Sequence, residues 1–441
     1  MMVIDKLKDR FNSQVSLAPL VILRIVFGLI MCFSALRFLY YGWVESLYIQ
    51  PNFFFSYWGM TWIKPFNHEL MIASYIILAI SALGMALGAF FRFSSFLFLI
   101  LFTYIELIDK TYYLNHYYFV SIFAFLMLIS PAHRRFSIDS WRNPSILREK
   151  DSNWFRLSFI LQLSLVYIFA GLAKVHSEWL LEAMPLKIWL PARIDVPIIG
   201  SLLKYESTAY IFSWAGMIYD LCIPFLLINR KTFWLGFSAV IAFHFITWIL
   251  FPIGVFPWVM IGCSLVFMPS MYAERVLKIV ETKATFSIQN HIPNKAWKMI
   301  FIAFFLVQII VPLRYLTFNN EILWFEEGFR FSWRVMLVEK NGSIQYNVVD
   351  KSTGVHGIED PSSQLSAFQQ KQMSMQPDMI LQYAHFIAEK YKKQGIDIAV
   401  YADSFISFNG RSAVRYINPE IDLASINQHE PRANWMMPYE Y

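Results

Sequence analysis

Long apolar stretches alternate with short polar segments along the first three-quarters of the chain, a pattern typical of membrane-spanning helices. A span needs about 20 mainly apolar residues. We predict nine spans, and because the third, fourth and eighth are short, a count of eight is the alternative. The predicted spans are residues 17–40, 69–91, 94–108, 117–131, 155–173, 209–228, 232–251, 254–270 and 297–316.

The pattern changes after residue 316, where apolar and polar residues alternate over short stretches bounded by turn residues. Such alternation predicts strands with one buried face. Asn-Gly pairs favour tight hairpin turns, so we predict two strands around Asn341-Gly342 and two more around Asn409-Gly410. Between them, PDMILQYAHFIAEKYKKQG predicts an amphipathic helix with Pro377 in its first turn and Gly395 just past its end.

Composition supports this division of the chain. Of the 441 residues, 57% are hydrophobic and only 15% are charged, against roughly 25% charged residues in soluble domains. We therefore predict an all-α polytopic membrane bundle of about nine transmembrane helices over residues 1–316. A small α+β domain outside the membrane is predicted to follow over residues 317–441.

Basic residues precede the first predicted span and follow the second, fourth, sixth and eighth, which places them all on one side of the membrane. The positive-inside rule makes that side cytoplasmic, so the N-terminus is predicted to be cytoplasmic and the C-terminal domain to lie outside. The net charge of +6 is too small to indicate nucleic-acid binding. The basic residues are Lys6, Lys8, Arg10, Arg92, His133, Arg134, Arg135, Arg142, Arg148, Lys150, Arg230, Lys231, Arg275, Lys278 and Lys283.

One apolar run, at residues 155–173, ends at a single amine. Lys174 closes it and is followed by His176, Glu178 and Trp179. A lysine at the end of a membrane helix usually extends to the lipid headgroups and anchors the helix. A desolvated amine can also lose its proton and act as a base. Both interpretations of Lys174 stay open at this point.

Other ionisable groups lie at membrane depth, where they are costly and mark functional hypotheses. Asp220 and His244 lie within spans, and His116 opens the fourth span behind Asn115. A structural alternative stands for each, such as a buried pair through which Asp220 fixes a neighbouring helix. The remaining groups have structural interpretations, with Arg24 and Glu106 in the bundle, Arg37 and Lys110 reaching headgroups, and Asp109 pairing with Lys110.

The sequence lacks the motifs of several common enzyme classes. It has no glycine-rich phosphate loop, no HExxH or paired-cysteine metal spacing and no GxSxG nucleophile turn. Cys32, Cys222 and Cys263 all lie in apolar runs, so we predict neither a disulfide framework nor a metal site. An amine, imidazoles and a carboxylate near the outer face suit proton transfer with a lipid-soluble ligand. The aromatic residues of the outer loops are typical of a belt at the membrane interface. Interleaved with polar residues, they also suit a flat redox-active ring.

The chain resembles the vitamin K-dependent γ-glutamyl carboxylases and the related horizontally transferred transmembrane domain proteins, and looks like a bacterial-type member. The resemblance runs over nearly the whole chain. The stretches that carry it are LRIVFGLIM (23–31), IDKTYYLNHYYFVSIFAF (108–125), YIFAGLAKVHSEWL (167–180), GMIYDLCIPFLL (216–227), FHFITWILFPIGVFPWVM (243–260), FRFSWRVML (329–337), QPDMILQYA (376–384) and YADSFISFNGR (401–411).

The resemblance implies carboxylation of glutamate in a peptide or protein substrate. In that family an enzyme amine deprotonates reduced vitamin K, here phylloquinol or menaquinol, and O2 then converts the quinol into a strong base. That base removes the γ-proton of glutamate, the carbanion attacks CO2, and the quinone epoxide remains. The outer domain would be periplasmic here and is luminal in eukaryotic relatives.

The resemblance also implies roles for six residues, carried over by matching motifs. Lys174 and Trp179 match the AG-x-x-K-x-x-x-x-W pattern, with Lys174 as the catalytic amine and Trp179 as a cofactor contact. His116, within the Asn115-His116 pair, is assigned to oxyanion stabilisation or proton relay, and Asn115 to cofactor binding. His244, a third catalytic residue, would line the same chamber as Lys174 and His116. Asp220 is assigned to the cofactor site, where it would orient a neighbouring residue.

Two alternatives to the carboxylase remain open from the sequence. The same scaffold could act as a quinol epoxidase that does not carboxylate glutamate. A different class, a membrane transporter or lipid-binding scaffold, would use the buried polar residues to line a path, although the paired discontinuous spans typical of many transporters are not evident.

Overall fold

The computed structural model describes residues 9–280, 294–318 and 320–440, and each predicted span overlaps at least one helix. The basic residues Lys6, Lys8 and Lys283 lie outside the described residues. The main helices are α1 (Ala18–Tyr40), α2 (His68–Leu87), α3 (Phe91–Ile108), α4 (Asn115–Ile129), α5 (Asn153–Ala173), α6 (Glu206–Ile228), α7 (Phe233–Leu250), α8 (Phe256–Ser264), α9 (Ser270–Val280), α10 (Lys295–Leu313), α11 (Ala367–Met375) and α12 (Pro377–Lys392). Shorter helices cover Trp43–Tyr48, Ile138–Arg142, Ser177–Leu180, Leu186–Trp189, Gly200–Leu203 and Ile322–Phe325.

Seven of the described helices are long and apolar enough to cross a membrane, or eight if the bent pair α8–α9 forms one span. The fourth predicted span, residues 117–131, corresponds to α4, which has 15 residues and is shorter than a usual crossing. The protein is therefore an integral membrane protein built from a helix bundle. The alternative count of eight spans from the sequence agrees with the structure when the bent pair is counted as one span.

The eighth predicted span, residues 254–270, is wrong as a continuous helix. The chain bends by 108° between α8 and α9. Pro269, directly before the first residue of α9, interrupts the backbone hydrogen bonding there. Arg156 of α5 binds the carbonyl oxygens left free there, donating to Val266 (3.1 Å) and Met268 (2.8 Å). This buried guanidinium compensates for the break, which the apolar pattern alone does not reveal.

Close helix packing and one buried arginine hold the bundle together near the N-terminus. A Cβ at Gly28 of α1 would lie 2.7 Å from the backbone nitrogen of Ala86 in α2, so only glycine permits this approach. Arg24 donates to the carbonyl oxygens of Ala132 (2.8 Å) and Arg135 (3.3 Å). Arg24 thus has the structural role that we expected.

The C-terminal domain is a four-stranded antiparallel sheet with two helices packed on it. Its strands are β3 (Lys340–Asp350), β4 (His356–Glu359), β5 (Ile398–Phe408) and β6 (Val414–Arg415), in the order β4-β3-β5-β6. A separate pair, β1 (Gln14–Ser16) and β2 (Lys150–Ser152), joins the chain before α1 to the start of α5. The mixture of helices and sheet confirms the predicted α+β class.

The two predicted Asn-Gly hairpins differ in outcome. Asn409 and Gly410 have φ angles of 49° and 74° and connect β5 to β6, as predicted. The hairpin around Asn341-Gly342 is wrong, because both residues lie inside β3 and pair with β5. Gly342 is needed for another reason, since a Cβ there would clash with the carbonyl oxygen of Ser374 in α11.

Candidate functional site

A buried ion pair lies where α5 ends. Lys174 follows the last helical residue, and its Nζ lies 2.7 Å from Oδ2 of Asp220 in α6. The amine also donates to the carbonyl oxygen of Ala170 at 3.2 Å. Lys174 is only 8% exposed and Asp220 only 5%, so water does not compete for either group. The structure brings together two residues that lie 46 positions apart in the sequence.

The close approach of α5 and α6 makes this pair geometrically feasible. A Cβ at Gly171 would lie 2.7 Å from Cδ2 and 3.1 Å from the backbone nitrogen of Leu221, the residue after Asp220. Any side chain at position 171 would therefore push the two helices apart. Gly171, which the family pattern includes, sets the Lys174–Asp220 distance.

Replacing Gly171 with alanine is expected to lower the free energy of unfolding by about 1–3 kcal/mol, the usual cost of overpacking a tight contact. Thermal unfolding of the purified protein in detergent measures the loss. Gly216→Ala in α6 is the matched control, because a Cβ there meets only a ring carbon of Trp179 at 3.9 Å and alanine favours the helix. Equal effects of both variants would contradict the packing role of Gly171.

Trp179 covers the amine on one side. The ring centroid lies 5.6 Å from Nζ of Lys174, within cation–π range. The indole Nε1 donates to the carbonyl oxygen of Ser213 in α6 at 2.9 Å, and the Ser213 hydroxyl donates back to the Trp179 carbonyl oxygen. The short helix Ser177–Leu180 is thereby fixed to α6, with Trp179 against the ion pair.

His244 of α7 forms a second buried contact with Tyr167 of α5, which lies about two helical turns before Lys174. Its Nε2 lies 3.1 Å from the hydroxyl oxygen of Tyr167, and both side chains are buried. Tyr219, adjacent to Asp220, stacks on Phe243 with ring centroids 4.0 Å apart. The motif analysis missed both tyrosines, because an aromatic residue in an apolar run gives no sequence signal of its own.

His116 lies in a different cluster. Its ring stacks on Phe256 at 4.5 Å and lines a cavity of about 290 Å³ with Arg37, Trp43 and Tyr117. Among the contacts of the described residues, none joins His116 directly to Lys174 or His244. Arg37 lies 4.8 Å above the Trp43 ring and lines this cavity, although we expected it to reach the headgroups.

Asn115 holds an external loop against the start of α4. Its Nδ2 donates to the carbonyl oxygen of Arg334 at 2.6 Å, and its Oδ1 accepts from the Tyr113 hydroxyl at 2.9 Å. The loop contains the left-handed residues Phe331 (φ 60°) and Trp333 (φ 60°). Left-handed non-glycine residues concentrate at functional sites. The first of the two strands predicted around Asn341-Gly342, beginning at residue 329, falls on this loop and is wrong.

Glu178 connects the Lys174 segment to the C-terminal domain. Its carboxylate accepts from Asn409 (2.8 Å) and Tyr439 (3.0 Å) and pairs with Arg411 (2.8 Å). Burial opposes ionisation of Glu178, but Arg411, Asn409 and Tyr439 hold its pKa below the usual range. Burial lowers the pKa of nearby His176, an effect that Glu178 opposes and Arg334 reinforces. Two stretches that carry the resemblance, AGLAKVHSEW and YADSFISFNGR, are thus in direct contact.

The described part of the chain contains no group of three or more histidine, cysteine, aspartate or glutamate residues that could hold a metal ion. The site is built instead from one amine–carboxylate pair, two histidines and surrounding aromatic rings. Fold and site together define a polytopic membrane protein with a buried amine–carboxylate pair at the end of its helix bundle opposite the N-terminus.

Two family models match the chain. Residues 12–272 match the HTTM domain, and residues 293–441 match the lumenal domain of vitamin K-dependent gamma-carboxylase. The first match alone covers more than half of the chain, and the two matches together show that the chain belongs to the vitamin K-dependent γ-carboxylase family. No solved structure matches it. The second match begins before α10, so the domain boundary at residue 316 stays a prediction.

Proposed function

We propose that this protein carboxylates glutamate residues of a peptide or protein substrate and couples this reaction to epoxidation of reduced vitamin K. The observation that carries the proposal is the buried Lys174–Asp220 pair at 2.7 Å. A structural anchor would extend to water, whereas this amine is enclosed by α5, α6 and Trp179. The family match supports the class of reaction.

Lys174 would serve as the base and Asp220 as its proton partner. To accept a proton, the amine must first be neutral. Passing a proton from Nζ to Oδ2 of Asp220 would leave a neutral amine beside a neutral acid, which removes two charges from a buried site at once. Asp220 thus has a defined part in our proposal, beyond orienting a neighbour.

The cavity beside His116 fits a flat bicyclic ring. Its volume of about 290 Å³ is lined by Trp43, Tyr117 and Phe256, with His116 and Arg37 as polar groups. Aromatic walls with few polar groups are typical of sites for such ligands. When bound, reduced vitamin K, as phylloquinol or menaquinol, would supply by reaction with O2 the strong base that no side chain provides. His116 would then donate a hydrogen bond to a developing oxyanion.

His116 and Lys174 lie at the same end of one helix pair, because α4 begins and α5 ends there. The two helices pack through Phe123 and Phe159, with ring centroids 5.3 Å apart. We propose that the quinol contacts both clusters, with Trp179 beside the amine and Asn115 holding the loop that closes the outer end. His244 and Tyr167 would keep the inner end polar but dry, so that CO2 competes with little water for the carbanion.

The orientation follows from the same proposal. The basic residues Arg10, Arg92, Arg142 and Arg230 lie on the N-terminal side of the bundle, which the positive-inside rule makes cytoplasmic. The site and the C-terminal domain would then lie on the periplasmic side. A glutamate-containing substrate would approach from there, and the quinol from the bilayer.

A coupled assay on purified protein tests the function. Incubation with vitamin K hydroquinone, O2, labelled CO2 and a short glutamate peptide is expected to yield vitamin K epoxide together with labelled peptide. Epoxide without label would show a quinol epoxidase that does not carboxylate. If neither product forms, although thermal unfolding shows that the protein is folded, both enzymatic functions are contradicted and a transporter or scaffold is favoured.

A further inference from the structure

A second cavity lies at the opposite end of α5 from Lys174. Its volume is about 450 Å³, and it lies between the start of α5, the end of α6 and the break between α8 and α9. Arg156, at its wall, precedes Lys174 by 18 residues, so about 27 Å of helix separates the two sites. This cavity therefore plays no direct part in the proposed chemistry.

Three arginines line this cavity without a carboxylate. Arg156 donates to the backbone of the α8–α9 break, whereas Arg10 and Arg230 are exposed, with Arg230 lying 3.9 Å from the sulfur of Met271. Across residues 9–280, 294–318 and 320–440, none of the three forms an ion pair with an acidic side chain. The starts of α5 and α9 also line the cavity, with no acidic residue in either first turn. The N-terminus of a helix carries a partial positive charge, so helix starts without acidic residues favour a bound anion.

The walls below the arginines are apolar and continue into a neighbouring groove. Leu157, Ile160 and Ile228 line the cavity itself. Phe11 and Leu161 also line a second cavity of about 290 Å³ between α5 and α10, whose other walls are almost entirely apolar. An anion site that opens into an apolar groove at a membrane surface matches a phosphate headgroup joined to an acyl chain.

We propose that this double cavity binds one anionic phospholipid from the leaflet on the N-terminal side. Its phosphate would lie between Arg10 and Arg230, and one acyl chain would follow the groove past Phe11 and Leu161. Basic pockets between membrane helices are known to take such headgroups. The bound lipid would fill the gap between α5 and α6 on this side, bracing the two helices that carry Lys174 and Asp220.

The shared chemistry is a phosphate group, so the test separates a lipid from a free anion. Delipidated protein in detergent is titrated with phosphatidylglycerol, phosphatidylcholine or inorganic phosphate, while native mass spectrometry counts adducts and thermal unfolding records the midpoint. We expect one tight phosphatidylglycerol adduct and a raised midpoint, with neither effect from the other two. Equal binding of phosphatidylcholine, or displacement by millimolar phosphate, would overturn the proposal.

Charge variants locate the site. Arg10→Gln combined with Arg230→Gln is expected to weaken phosphatidylglycerol binding roughly 30-fold, since each arginine near an anionic headgroup contributes about a factor of five. Two substitutions outside the cavity, Arg142→Gln and Lys231→Gln, change the charge equally on the same membrane side and should leave binding intact. Equal loss in both double variants would show nonspecific attraction and overturn the assignment. Both arginines of the pair are exposed, so we expect the protein to fold without them.

Discussion

Replacing Lys174 with methionine is expected to lower the rate of vitamin K hydroquinone epoxidation by about 10²- to 10⁴-fold, the usual contribution of a positioned base. Carboxylation of a glutamate peptide should fall with it, because the proposed coupling makes carboxylation depend on the base formed from the quinol. Both products are measured in the same reaction. An unchanged epoxidation rate would contradict the assignment of Lys174 as the base.

The Lys174→Met substitution is also expected to destabilise the protein, so a second variant is needed to separate lost stability from lost catalysis. Methionine at position 174 leaves Asp220 as a buried carboxylate without a counter-ion, which costs about 3–5 kcal/mol. Adding Asp220→Asn removes that charge and should restore most of the lost free energy of unfolding. If Lys174 is only an anchor, the double variant regains epoxidation along with stability. We expect it to regain stability alone.

A second lysine on the same side of the bundle provides the matched control. Lys187 lies 3.5 Å from Glu206 and donates to the Tyr210 hydroxyl at 3.1 Å, but Glu206 is exposed. Its methionine variant removes an amine, an ion pair and a cation–π contact, as at position 174. Since surface pairs contribute at most about 1 kcal/mol, both the rate and the stability should stay near those of the unsubstituted protein.

Features of the fold that depend on local pattern were predictable from the sequence. Runs of apolar residues marked every membrane helix, and Pro377 marked the start of α12 because a missing N–H is harmless in a first turn. Asn409-Gly410 marked a hairpin for an equally local reason. The same reasoning failed at Asn341-Gly342, because contact with Ser374 in α11, not turn geometry, requires that glycine.

The site was predictable only in part, for a related reason. The motif around Lys174 indicated an amine at a helix end, but its partner could be identified only once α5 and α6 lay side by side. Tyr167 has no sequence signal, since its role depends on facing His244 across the bundle. Pairs between distant segments are fixed by tertiary packing, and the local pattern of a sequence does not show them.

The ion-pair partner of Lys110 also could not be predicted from the sequence, because it lies in the C-terminal domain. From sequence it was expected to reach the headgroups or to pair with Asp109, but its Nζ lies 2.8 Å from Oδ2 of Asp378 at the start of α12. Asp109 instead accepts from Gln369 at 2.7 Å. Asp378 also binds Arg330 through both oxygens, at 2.8 and 3.2 Å. One carboxylate therefore pairs with two cations and ties the bundle to the C-terminal domain.

Replacing Asp378 with asparagine is expected to lower the free energy of unfolding by about 3–5 kcal/mol, because Lys110 and Arg330 would lie close together without a counter-ion. Limited proteolysis and thermal unfolding both measure the loss, since the C-terminal domain should detach first. Asp397→Asn is the matched control in the same domain. Asp397 lies 3.7 Å from Lys351 at an exposed position, so its loss should change stability by less than about 1 kcal/mol.

The pH dependence gives this prediction a second, independent test. Burial opposes ionisation of Asp378, but Arg330 and Lys110 hold its pKa well below the ordinary value. Its contribution is thus complete above about pH 4, the value in the unfolded chain, and is lost as pH falls towards the folded pKa. Burial lowers the pKa of Lys110, an effect that Asp378 opposes. The asparagine variant should therefore lose the acid-dependent part of its stability and regain some stability at alkaline pH, where Lys110 sheds its proton. Parallel pH profiles for variant and unsubstituted protein would show that Asp378 does not act through its charge.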